Sequence, residues 1–215
     1  MKNHEKREIL EETEWMVVYR LENGQSLHES KFLTKDATVT ADALRERWGS
    51  FSPKQRYDFV RAYQAKPEVT SEDEKVLEFL MDSEDPAIWA TIAPLLARHK
   101  KRERILAFIL SRIQQPWGPK ANFYQVLGAL SAPESVPILK QSLLKHREEM
   151  LAHPSLQSWN DRLIYLDYLS CSAALFAITH ERQFIKNLKE MLQHSDHAVQ
   201  EMVGAVARSS GITIT

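Results

Sequence analysis

Glycine is scarce in this chain of 215 residues. Its 6 glycines are too few for the tight turns of an architecture built from many short strands. Cysteine is scarcer still. The single Cys171 excludes an intramolecular disulfide and fits a reducing compartment. Neither sign of charge prevails. The net charge is −1 with 27% of residues charged, so no global field draws the chain to nucleic acid or to an anionic membrane. No apolar run is expected to reach the ~18 residues of a spanning helix. The opening residues Met1 to Glu8 are charged and do not read as a signal peptide. The expectation is a cytoplasmic protein with no membrane contact. There is no His-Glu-x-x-His and no glycine-rich phosphate loop, so neither a metal nor another cofactor is expected.

What the chain has in abundance is helical punctuation. Ser52-Pro53-Lys54-Gln55 and Ser71-Glu72-Asp73-Glu74 read as capping boxes, the first with proline at the opening helical position. Apolar stripes at helical spacing follow: Tyr57, Val60 and Tyr63; Val76, Leu77, Leu80 and Met81; Ile88, Ile92, Leu95 and Leu96; Ile105, Leu106, Ile109 and Ile113; Phe123, Val126, Leu127 and Leu130; Val136, Leu139, Leu143 and Leu144. A long helix is expected over 156–179, with Trp159, Leu163, Leu166 and Leu169 among its apolar positions. Helices over 181–193 and 196–209 complete the series, and Pro116-Trp117-Gly118-Pro119 and His153-Pro154 act as breaks. Residues 4–22 are expected as an amphipathic helix stopped by Asn23-Gly24. The rival reading pairs Trp15–Leu21 with Ser26–Phe32 as a hairpin around that turn. Residues 25–39 read as a loop.

Leu80 to Leu95 (LMDSEDPAIWATIAPL) returns as Leu192 to Val206 (LQHSDHAVQEMVGAV), and the spacing suits a helical repeat of about 37 residues. These segments, with QVLGALSAPESVPILKQSL at 125–143, resemble HEAT repeats, and more loosely HEAT-like repeats of phycobilisome-lyase type. The resemblance implies an all-α chain, an α-α superhelix forming a short solenoid. Residues 71–215 would hold about four helix pairs, and residues 1–70 an irregular N-terminal cap. Such a unit cannot bury both its stripes alone and stacks to form a continuous core. Ile92, Leu127 and Val203 are then matched core positions.

The resemblance also implies a non-enzymatic scaffold that binds a protein partner on its concave face. Trp89, Tyr124 and Gln200 fall at equivalent positions on the second helices, and Asn160 joins them when Trp159 is matched to Phe123. Aromatic side chains in such a row would suit a protein interface, although aromatic residues at helical spacing more often pack between adjacent repeats. The alternative is nucleic-acid binding by the basic turn Arg98, Lys100, Lys101, Arg102 and Arg104, with or without the chemistry of HEAT-like DNA glycosylases, for which Trp159, Asp161 and Arg162 are the nearest trio. A solvated turn whose cations favour a helix C-terminus explains the same basic residues. His194-Ser195-Asp196-His197 reads as a capped turn before it reads as a metal site. Cys171, inside an apolar helix, reads as a buried thiol.

Overall fold

The computed structural model describes residues 8–20, 25–31, 39–115, 120–153, 156 and 158–214. These are mostly helical, with ten α-helices and one small sheet among the described residues. Two compact units divide the chain, Met1–Leu95 and Leu96–Thr215.

The first unit opens on β1 (Glu8–Glu12), β2 (Met16–Arg20) and β3 (Ser26–Ser30), an antiparallel sheet in that order. The helix expected over 4–22 is therefore corrected, and so is the loop over 25–39 where β3 lies. The hairpin reading holds for β2 and β3, although Asn23-Gly24 lies outside the described residues. Two local features work against a helix. The Thr13 hydroxyl accepts hydrogen bonds from the Trp15 and Met16 amides at 3.3 and 3.1 Å, which turns the chain. The run Met16-Val17-Val18-Tyr19 then buries alternate residues, Met16 and Val18, as β-branched and aromatic residues favour. The Ser30 hydroxyl ties the sheet to α2 by donating to the Ala62 carbonyl at 2.6 Å.

Four helices follow: α1 (Ala41–Trp48), α2 (Pro53–Tyr63), α3 (Ser71–Met81) and α4 (Pro86–Leu96). Ser52 and Gln55 form the expected capping box. The second box sits one residue earlier than expected, on Thr70 and Asp73. Asp73 is buried there and carries further duty. It accepts from the Tyr63 hydroxyl, from Lys66 Nζ at 2.5 Å and from the Thr70 amide at 2.8 Å. Burial raises its pKa, but these partners outweigh burial and hold the carboxyl below its ordinary value.

The second unit contains α5 (Arg102–Ile113), α6 (Ala121–Ala129), α7 (Val136–Ala152), α8 (Trp159–Thr179), α9 (Arg182–Met191) and α10 (His197–Ser209). Helix α8 is packed by α6, α7, α9 and α10, and every residue from Asp167 to Leu175 is buried. By length and composition it is apolar enough to cross a bilayer, which corrects the expectation that no such run exists. Its surroundings identify it as the core helix of this unit, since 56% of its apolar window is buried. Ile92, Leu127 and Val203 are fully buried.

Helices α6 and α8 meet closely at Gly128. A Cβ added there would stand 3.2 Å from Ala174 Cα and 3.6 Å from Ala177 Cβ. Small residues on both sides permit this approach, and a branched side chain would force the helices apart. Gly128→Val should destabilise the protein by about 1–3 kcal/mol, the usual cost of overpacking, read as a lower urea midpoint. An unchanged midpoint would mean that the helices separate freely.

Candidate functional site

The expected concave row is not an exposed surface. Trp89 is 4% exposed and Tyr124 0% exposed, Gln200 is half-buried, and Asn160 alone is exposed. The Gln200 amide donates to the His194 carbonyl at 2.8 Å. Of the basic turn, Arg98, Lys100, Lys101 and Arg104 are exposed. Arg102 is half-buried and turns to Glu134 at 3.5 Å and to the Leu130 carbonyl at 3.4 Å.

Tyr124 heads a polar chain that runs from the core to the half-buried Glu149. Its hydroxyl lies 2.8 Å from His146 Nε2, and His146 Nδ1 lies 3.1 Å from Glu149 Oε2. A carboxylate can only accept, so Nδ1 carries the proton and Nε2 accepts from the phenol. Burial lowers the pKa of His146 against the opposing pull of Glu149, and it raises that of Tyr124. The order phenol, imidazole, carboxylate has the form of a proton relay. A general acid or base must reach its substrate, however, and this phenol is closed off on all sides. The chain locks α6 to α7.

Beside it, Asp167 of α8 accepts from the Lys120 amide at 2.8 Å. Lys120 stands at the N-cap position of α6, and its own side chain makes no cap. Asp167 thus satisfies the start of α6 from another helix. The Lys120 ammonium donates instead to the Ile113 carbonyl at 2.6 Å and closes the end of α5. Burial lifts the Asp167 carboxyl from 3.8 to about 7, against the pull of the Lys120 and Ala121 amides.

The remaining sequence candidates have structural employment. The Asp161 carboxylate accepts from the Ser158 amide and hydroxyl, both at 2.8 Å, as the third residue of a capping box. Asp196 caps α10 through the Ala198 amide at 2.8 Å, and His194 Nδ1 accepts from the Asp196 amide at 3.0 Å. The Cys171 thiol is buried and donates to the Leu139 carbonyl at 3.2 Å, and burial raises its pKa. Among the described residues no three metal-ligating side chains converge.

A surface that periodicity did not single out lies on α7. Leu144, expected in the core, is 63% exposed, and Leu151 is 70% exposed. Trp159, also expected inside, is 70% exposed at the start of α8. Tyr57 of the first unit is likewise exposed rather than packed. Beside Leu144, a cleft of about 290 Å³ opens between α7 and α9, and Leu143, Tyr168 and Phe184 supply its apolar lining. The sequence of α7 carried only part of the signal for this surface, since it offers more apolar residues than one face can bury. Its buried residues Leu139, Leu143, His146 and Met150 already make one complete helical face, which leaves Leu144 and Leu151 on another. No family model, curated protein or solved structure matches the chain.

Trp89→Ala should cost about 3–5 kcal/mol, as truncations of buried aromatic residues do, and thermal unfolding will show it as a lower melting temperature. An unaltered melting temperature would return Trp89 to the surface.

Asp167 gives a pH dependence of definite sign. Its folded pKa lies above the unfolded value, so its contribution is complete below the unfolded pKa and is lost as pH rises through about 7. Asp167→Asn has no proton to lose. Between about pH 5 and pH 8 the wild type should lose roughly 1–4 kcal/mol relative to this variant. Parallel stability curves in urea would show that Asp167 does not titrate in this range.

Proposed function

We propose that this chain is a non-enzymatic protein-binding module, a short HEAT-like array of helix pairs, whose working face is the α7 side of the second unit. The observation that carries the reading is the pair of large apolar side chains left exposed on α7, Leu144 and Leu151, with Leu144 lining a cleft alongside Leu143, Tyr168 and Phe184. Exposed apolar groups flanking an apolar recess are the usual make-up of a protein-interaction site. The repeated caps and stripes support a HEAT-like array, in which neighbouring pairs bury one another's apolar faces. The titratable groups described above are spent on caps and on contacts between helices, which supports a role in binding rather than in chemistry.

Exposed Arg98, Lys100, Lys101 and Arg104 at one turn support a second reading, contact with a nucleic-acid backbone.

Two measurements separate these readings. A photo-crosslinking residue placed at Leu144 should capture a protein partner, and one at exposed Glu201 should not. The purified partner should then lose about 10-fold or more in affinity for Leu144→Asp, a loss of 1.4 kcal/mol or more, with the melting temperature unchanged. Equal capture at both positions, or unaltered affinity, overturns the α7 face. A gel shift that weakens steeply with salt and is abolished by Lys100→Glu/Lys101→Glu would favour the second reading.

A further inference from the structure

The cleft beside Leu144 has a charge character that narrows its occupant. Lys140, Leu144, Arg147 and Leu151 recur along α7 at the spacing of one helical stripe, and all four are exposed. Lys140, Leu144 and Arg147 line the cleft with Tyr168 and Phe184, and among the described residues no acidic side chain lines it. The two cations differ in their engagement. Lys140 Nζ reaches Glu181 at 3.3 Å and lies 5.8 Å from the centre of the Phe184 ring. Arg147 forms no ion pair among the described residues. Burial raises the pKa of the Tyr168 phenol, with the Arg147 charge opposing that rise and Glu190 adding to it; Arg147 itself lines the recess.

We propose that this cleft receives an amphipathic helix of a partner protein, with an apolar anchor over Leu143 and Phe184 and an Asp or Glu that meets Arg147. The inference rests on the protein-binding role proposed above and specifies its partner. Charge complementarity selects the acid. An incoming carboxylate can pair bidentately with a guanidinium that has no ion-pair partner among the described residues, whereas a basic segment would be repelled by it. The shape selects the helix. The cleft lies between two helices, and the stripe from Lys140 to Leu151 runs roughly 16 Å along the α7 axis, the length of three turns of a docked helix. A small carboxylate would fill the recess but leave Leu151 uncovered.

The full chain is tested with two fluorescent peptides of about 16 residues that share one leucine pattern, flanked by Glu in one and by Lys in the other. Fluorescence polarisation should show the Glu peptide bound roughly 10-fold or more tightly than the Lys peptide, with the gap closing as salt rises. Arg147→Glu should reverse the preference, while Leu144→Asp should weaken both peptides, and the exposed positions of these residues leave folding intact. Equal binding of the two peptides, with both lost in Leu144→Asp, overturns the acidic partner and leaves the protein-binding role standing. No binding of either peptide overturns the inference. If crosslinking at Leu144 also fails, the role falls with it. Octanoate displacing the Glu peptide at equal affinity would replace the helix by a small carboxylate. Sedimentation showing self-association that Leu144→Asp abolishes would replace the partner by a second copy of this chain.

Discussion

Burial of the middle of α8, Asp167 to Leu175, is the constraint on which the second unit depends. In this stretch a helix that packs against four neighbours has no face to give to water, and its composition follows from that. The middle of α8 reads Ser170-Cys171-Ser172-Ala173-Ala174, small enough for neighbours to come close. Polar groups in such a run must find partners or cost stability, and several find them on different helices. Asp167 takes the start of α6, Cys171 the Leu139 carbonyl of α7, and Ser172 the Asn187 amide of α9 at 3.3 Å. Ser170 Oγ is buried without a partner among the described residues. Apolar burial holds the helices together, while these polar contacts fix where along α8 each neighbour sits.

Most of the helical framework was legible because its signals are local. Capping boxes, prolines at helix starts and stripes of period 3.6 act within a few residues, and the helices from α1 to α10 fall close to where those signals stand. The sheet was misread for a related reason. Ile9, Leu10, Thr13, Met16 and Val17 satisfy a helical spacing, and the two-residue alternation of β2 is only five residues long. The deciding contact, Ser30 to Ala62, joins residues 32 apart, beyond any window of periodicity.

The candidate surface was less legible than the fold. Aligning the repeats identifies equivalent positions but does not say whether they face a neighbour or water. Trp89 and Tyr124 stand at such positions and are enclosed. Helix α7 carries more apolar residues than one face can bury, so pattern alone could not tell Leu143, which packs, from Leu144, which does not. Arg147 gives no local sign of its importance. That depends on which side chains surround the recess and on the absence of a carboxylate among them, and both are set by packing between helices.

The cap on α6 has a consequence for the order in which the unit can assemble. A helix with Ser, Thr, Asp or Asn at its own threshold is ready to wind as soon as it leaves the ribosome. Helix α6 begins at a lysine that offers no such help, and the carboxyl that serves its first amides lies 47 residues further on. A helix of nine residues is too short to persist alone in water. Until α8 has been synthesised, the start of α6 therefore stays frayed. The loop between them must close before either helix gains from the other, at an entropic cost that its length imposes. Formation of this unit is thus a late, long-range event, and a chain cut short before Asp167 would leave α6 without the group that completes its first turn.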